Sequence, residues 1–209
     1  MSEFLPALST APVILASASA PRANLLRAAG VTIEIVPSTI DEPSIVAALQ
    51  GGGDDLPPAD IAAMLAEAKA GDVGGARPDT LVIAADQTLE LDGALFTKAG
   101  SIEEARRNLL LLRGRTHALH SCAVLAHEGQ TVWRHTETAW MTMRDFTPQF
   151  LGRYLAAVGD SVLESVGCYH LEGPGVQLFE RFEGDWFSIL GLPLMPLLGE
   201  LRRRGVVPT

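Results

Sequence analysis

The opening of the chain constrains its fold more than any other feature. Val13-Ile14-Leu15-Ala16 is a short apolar run bounded by turn residues, as a buried strand would be. Ser17-Ala18-Ser19-Ala20-Pro21-Arg22 breaks that run, and Ala23 to Ala29 reads as a helix closed by Gly30. Thr32 to Pro37 alternates and is β-branched, which gives a second strand. Strand, small-residue turn, helix and strand in that order start an α/β domain, because two neighbouring parallel strands need a helical crossover between them.

The same grammar continues downstream. Gln50 to Pro58 is a Gly/Asp/Pro stretch and is expected as a surface loop, with a lid as the functional alternative. Ala59 to Ala70 is expected as a helix, and Leu81 to Ala85 as a buried strand ended by Asp86. Leu89 to Gly93 resembles a strand entering a turn. Ser101 and Glu104 form a capping box for a helix reaching about Leu112 and stopping near Gly114. His117 to Ala126 and Thr131 to Met143 are strand-like around the turn Glu128-Gly129-Gln130. Pro148 to Val158 is a helix, Val176 to Phe179 is extended, and Pro193 to Arg204 is the last helix, with Arg202, Arg203 and Arg204 as its solvated end.

Composition narrows the class. With 209 residues and no internal repeat or clear linker, a single domain over 1–209 is the economical expectation. A chain this long buries roughly 70% of its unfolded surface, so no disulfide or metal staple is required. The formal net charge of −9 disfavours nucleic acid as a partner, which calls for a basic surface. No apolar run reaches the ~18–20 residues that span a bilayer, so no membrane partner is expected. Met1 to Thr10 contains Glu3 and no basic segment, so no secretory signal is read and the expected location is cytoplasmic. Cys122 and Cys168 stand alone, without the spacing of a zinc site or disulfide framework, and are expected as small core residues. Trp133, Trp140 and Trp186 are read as core or interface residues. The five histidines lack metal-ligand spacing, and those in strand-like segments are read as solvent-facing.

Polar residues gather at the ends of the apolar strands, where α/β folds place ligands. In the Ser17 to Arg22 turn, small residues let backbone N–H groups approach an anion, and Arg22 adds a permanent charge. Asp41-Glu42 follows the second strand and reads either as a solvated turn or as ligand carboxylates. Asp86 reads as a cap or as a ligand to metal or water. Lys69 and Lys98 are surface lysines or anion partners.

The order and spacing of these segments resemble the Maf family of nucleotide pyrophosphatases along nearly the whole chain. VILASASAPRANLL is similar to that family's ILASxSPRRxELL signature, and Thr39-Ile40-Asp41-Glu42 to its DE segment. Ala66-Glu67-Ala68-Lys69-Ala70 resembles the helix that carries a functional lysine. Ile83-Ala84-Ala85-Asp86-Gln87, with Lys98 downstream, resembles the family's strand, acid and second lysine. Gly114-Arg115-Thr116-His117 and the stretch from Glu183-Gly184-Asp185 to Gly191-Leu192-Pro193-Leu194 complete the match.

The resemblance implies a mixed, twisted α/β sheet flanked by helices, in two lobes around a nucleotide-binding cleft. It also implies a nucleoside triphosphate substrate, a divalent cation (Mg2+ or Mn2+), and often a homodimer. It assigns Arg22, Glu42, Lys69, Asp86 and Lys98 to catalysis, with Asp86 as proton acceptor. On their chemistry as oxygen donors, Glu42 and Asp86 are the expected metal ligands, directly or through water. Ser17, Ser19, Pro21, Gln87 and Glu172 fall at substrate-binding or base-selecting positions. Gln87 and Glu172 resemble the 7-methyl-GTP subclass. Pro21 departs from the family's arginine or tryptophan and offers no aromatic platform, so a thymine or uracil preference stays open beside a guanine-type one. Two other readings remain: an inosine triphosphate pyrophosphatase relative, and a non-catalytic nucleotide-binding regulator of cell division or septum formation. The first would not carry the Ser17 to Arg22 signature, and the second would not need the acid.

Overall fold

The computed structural model describes residues 12–51 and 56–209. The expectations for Met1 to Thr10, and for the Gly52 to Asp55 part of the Gly/Asp/Pro stretch, lie outside the described residues. Strands β1 (Val13–Leu15), β2 (Ile33–Ile35), β3 (Val82–Leu91), β4 (Ala94–Phe96), β5 (Thr116–His127), β6 (Gln130–Met143) and β7 (Phe179–Glu183) form one seven-stranded sheet. Its order is β2-β1-β3-β5-β6-β7, with β4 paired to β3. The first helices are α1 (Ala20–Ala28), α2 (Glu42–Gln50), α3 (Pro58–Ala76) and α4 (Ile102–Leu112), followed by α5 (Pro148–Val158), α6 (Trp186–Ile189) and α7 (Leu194–Arg203). β1 pairs in parallel with both β2 and β3, while β3–β4 and β6–β7 are antiparallel. The sheet is therefore mixed, as an α/β fold of the expected kind requires.

The described chain falls into two compact units. One comprises the chain up to Asp86 with Ser121–Glu137 and Asp185–Thr209; the other comprises Gln87–His120 and Thr138–Gly184.

In the first unit the core follows from strand periodicity. Val13, Leu15, Ile83, Ala85, Ala123 and Leu125 all have odd numbers, and they pack with Leu26 of α1 and Leu194, Leu197 and Leu201 of α7. Ile14, Val82, Ala84, Cys122, Val124 and Ala126 have even numbers and pack with Ala62, Ala66, Ala70 and Val73 of α3. Successive strand residues point to opposite faces, so each strand buries two apolar rows and helices cover both. The α3 row is almost entirely alanine. Small side chains let a helix lie close to the sheet, and that closeness brings Lys69 within reach of a strand residue.

In the second unit, α4 buries Ala105, Leu109 and Leu112, spaced to share one helix face. Its N-cap is the expected Ser101, whose Oγ accepts from the Glu104 backbone N–H at 3.2 Å. α5 buries Leu151, Tyr154 and Leu155, and the Tyr154 hydroxyl donates to the Cys168 carbonyl at 3.1 Å. Behind it, His117, Tyr169 and Phe179 form an aromatic cluster, with the Tyr169 and Phe179 rings edge to face at 4.7 Å.

Several expectations need correction. Asp86 does not end its strand: β3 continues to Leu91, because Thr88, Leu89 and Leu91 find burial that the apolar run up to Ala85 does not announce. Asp41-Glu42 is no plain turn but the cap and first residue of α2, with the Asp41 carboxylate accepting from the Ser44 N–H at 3.2 Å. Val176 lies in a 3-10 turn, Pro174–Leu178, and extended structure starts only at Phe179. His117 and His120 are buried, since hydroxyl and carboxylate partners replace water for them. Of the tryptophans read as core or interface residues, Trp140 and Trp186 are 51% and 38% exposed, which removes the core half of that reading for these two. The arginine-rich end of α7 is more than a solvated tip: Arg203 and Arg204 both pair with the buried Glu200 carboxylate. Both cysteines are free and buried, as expected. Among the described residues no helix is long and apolar enough to cross a membrane.

Candidate active site

Four of the five expected catalytic residues belong to the first unit. Asp86 lies on the even-numbered face of β3, two residues past Ala84, and therefore points toward α3. Lys69 sits on the buried side of α3 among its alanines. Its Nζ donates to Asp86 Oδ1 at 2.5 Å and lies 3.0 Å from Glu42 Oε1. One ammonium thus bridges two carboxylates. Lys69 and Asp86 side chains are each only 9% exposed, whereas Glu42 is 47% exposed and opens the pair to solvent.

Glu42 reaches this position through two clamps. Asp41 caps α2 through Ser44, fixing the first turn on which Glu42 stands. Upstream, Asp72 Oδ2 accepts from the Thr39 N–H at 2.8 Å and from the Ser38 hydroxyl at 3.0 Å. Asp72 lies three residues beyond Lys69 on α3, so the helix that carries the lysine also holds the loop that delivers the glutamate. These hydrogen bonds draw the Asp72 carboxyl below its usual pKa, the Thr39 N–H contributing most.

Arg22 approaches from α1. Ser19 caps that helix by accepting from the Arg22 backbone N–H at 3.5 Å, and Pro21 occupies the first turn, where a missing N–H costs nothing. The guanidinium is buried. Its Nη1 donates to Ser17 Oγ at 3.2 Å and its Nε to the Gly191 carbonyl at 2.8 Å. Ser17 Oγ also accepts from the Ser19 N–H at 3.2 Å, so both serines of the turn organise the arginine.

The electrostatics tie these groups together. Burial raises the Asp86 pKa above its ordinary value; the charges of Lys69 and then Arg22 oppose that rise, and Glu42 adds to it. Burial lowers the Arg22 pKa, and the Asp86 and Glu42 charges counter it. Arginine remains a cation under such a shift. The result is a dry carboxylate of enhanced basicity, kept near two cations.

Among the described residues, no group of three or more His, Cys, Asp or Glu side chains could hold a metal ion by itself. A magnesium-sized ion commonly takes one or two carboxylates and completes its shell with water and substrate phosphates. Glu42 and Asp86 fit that role chemically: both are oxygen donors, and both already converge on a single positive charge.

Lys98, Gln87 and Glu172 belong to the second unit. Gln87 follows Asp86 within β3 and is half-buried, while Lys98 and Glu172 are exposed. Glu172 stands in a tight segment. The Gly173 N–H donates to the His170 carbonyl at 3.3 Å, and the His170 ring lies 3.0 Å from the Ser161 carbonyl. Sequence reasoning missed Asp72, Ser188 and Gly191. Their partners lie 33 to 169 residues away, at Thr39, Glu137 and Arg22, and no local pattern marks them.

A family model described as Maf-like protein matches residues 12–204. The chain belongs to the Maf family. It is 51% identical over 198 residues to a 7-methyl-GTP pyrophosphatase of Mesorhizobium japonicum, covering 95% of this chain and 98% of that one. It is 50% identical over 194 residues to a protein of the same name from Brucella abortus, covering 93% and 96%. It is also 50% identical over 200 residues to a nucleoside triphosphate pyrophosphatase of Caulobacter vibrioides, covering 96% and 99%. The Maf match spans both units, and the buried Lys69–Asp86 pair and Arg22 fall within it.

Proposed function

We infer that this chain hydrolyses a nucleoside triphosphate between its α and β phosphates, releasing the nucleoside monophosphate and pyrophosphate. One observation carries the reading: a buried lysine bridges Glu42 and Asp86, with a buried arginine acting on the same aspartate. An incoming triphosphate offers Lys69 new anionic partners. As the ammonium turns to the phosphates, Asp86 Oδ1 becomes free to accept a proton from water. The water oxygen then forms its bond to Pα while the bond from Pα to the bridging oxygen breaks. Arg22 and Lys69 neutralise the departing pyrophosphate, Arg22 with the planar fork suited to phosphate oxygens. The raised basicity of Asp86 favours its role as base, and the nearby cations keep it ionised. Glu42 and Asp86 would hold a magnesium or manganese ion, which neutralises phosphate charge and acidifies water.

Lys98 joins the phosphate-binding set by its match to the family motif, and Gln87 and Glu172 join as base-selecting residues on the same ground. We propose a guanine-type base, with 7-methyl-GTP the first candidate. A carboxylate at Glu172 suits the N1–H and amine of guanine and the positive charge of its methylated form. Two of the relatives above bear the name of that activity. A homodimer completes the proposal on family precedent, and sedimentation of the purified protein tests it. The regulator reading is not favoured, because binding alone would not need a buried carboxylate held between two cations.

The test is pyrophosphate release with magnesium or manganese from 7-methyl-GTP, GTP, dTTP, UTP, CTP and ITP, using Asp86→Asn as the control. Release by the unsubstituted protein and its loss in the variant support the reading. Nucleotide binding without release from any substrate would move the regulator to the front.

A further inference from the structure

Arg22 does not hold its own position. Its Nε is anchored by the carbonyl of Gly191, at the end of a turn that begins at Asp185. The residue that organises this turn is Ser188, which is 1% exposed. Its N–H donates to Asp185 Oδ2 at 2.7 Å, capping α6. Its hydroxyl lies 2.7 Å from Glu137 Oε2 and 2.9 Å from Asp185 Oδ2, and with a single proton it donates to one carboxylate at a time. Its carbonyl accepts from the buried Ser121 hydroxyl at 2.6 Å and from the Gly191 N–H at 2.9 Å. Ser188 therefore joins three separate segments, contributed by β5, β6 and the stretch before α7, all within the first unit.

The far end of the turn leaves little slack. Gly191 has φ +94°, a conformation L side chains rarely adopt, and a Cβ there would stand 3.4 Å from Arg22 Nε. A small shift of α6 moves the Gly191 carbonyl, and the Nε contact constrains the plane of the guanidinium. Bidentate recognition of phosphate depends on that plane, because both N–H vectors must meet oxygens together.

We propose that Ser188 is a positioning residue for Arg22: by locking the Asp185–Gly191 turn to Glu137 and Ser121, it sets the guanidinium for triphosphate without touching the substrate. This rests on the reading that Arg22 binds the substrate's phosphates. Ser121, holding the same turn through the Ser188 carbonyl, serves the same end.

The experiment is a double-mutant cycle on binding of inorganic triphosphate by calorimetry, repeated as KM and kcat for the best nucleotide of the panel. The variants are Ser188→Ala, Ser121→Ala and Arg22→Ala, with each serine variant also combined with Arg22→Ala. Removing one buried hydrogen bond from the turn is expected to weaken triphosphate binding by about five- to tenfold. In the Arg22→Ala background the same change is expected to have no further effect, since interacting residues are not additive. Ser121→Ala removes less from the turn and keeps the test decisive where Ser188→Ala fails to fold. Serine effects that persist in full without Arg22, or no loss in any serine variant that folds, would overturn the positioning role and leave the functional reading intact. Unchanged triphosphate binding in Arg22→Ala alone would overturn both the positioning role and the assignment of Arg22 to the phosphates, while pyrophosphate release still decides the hydrolytic reading.

Discussion

His117 is a buried histidine that should tie the stability of the protein to pH. It is 1% exposed, its Nε2 lies 2.7 Å from the Tyr169 hydroxyl, and its Nδ1 has no hydrogen-bond partner. Protonation would place a second N–H and a charge among aromatic rings with nothing to receive either. Burial accordingly lowers its pKa from 6.5 to about 4. The unfolded chain binds a proton near pH 6.5 and the folded chain does not, so stability is fully present above that value. It is lost as pH falls toward about 4, because unfolding then takes up one proton. Each pH unit inside this window costs about 1.4 kcal/mol, so His117 alone should remove about 2 kcal/mol between about pH 7.5 and about pH 5. Urea unfolding of the intact protein and of His117→Gln across that range isolates the effect, because other titrating groups cancel in the difference. The stability gap between the two proteins is expected to shift by about 2 kcal/mol in favour of the variant at the acid end. A gap that stays constant with pH would refute the argument, as would a His117 ring titrating near 6.5 by NMR.

Further expectations follow from the same contacts. Asp86→Asn should lower turnover by about 10²–10⁴-fold while the protein stays folded, measured as pyrophosphate release beside a thermal melt. Lys69→Met should destabilise the fold by about 3–5 kcal/mol, because it leaves Asp86 buried without its ammonium. Adding Asp86→Asn to that variant should recover part of the loss, and denaturant unfolding of the single and double variants decides it. Gly191→Ala forces a side chain into φ +94° against Arg22. It should cost about 1–3 kcal/mol and raise KM more than it changes kcat, which unfolding and steady-state kinetics read separately. Gly175→Ala would set a Cβ 2.5 Å from the His170 carbonyl oxygen. The segment bearing Glu172 would have to shift, and the ranking of the nucleotide panel should change; an unaltered ranking would detach Glu172 from base choice.

Much of this protein is written locally in its sequence. The strand–turn–helix opening, the Ser101 capping box, the turn at Glu128-Gly129 and the helix Pro148–Val158 are all settled by short-range chemistry, and the structure has each where it was expected. The charged residues were legible too, through their resemblance to an ordered family pattern. Sequence could not decide where Asp86 stood, since a strand's extent depends on what covers it. Nor could it make Asp41-Glu42 a helix start, because Asp72 holds the preceding loop from 33 residues away.

The pairing of Lys69 with both carboxylates exists only because an alanine-lined helix face lies close against the even row of the sheet. Arg22 likewise shows in the sequence only as a charge after two serines. Its orientation comes from Gly191, 169 residues further on, through a turn locked by Ser188. Residue type and local order fixed which groups this chain possesses. Their distances, burial and basicity arise from long-range packing, because desolvation and charge pairing depend on neighbours that no local stretch contains.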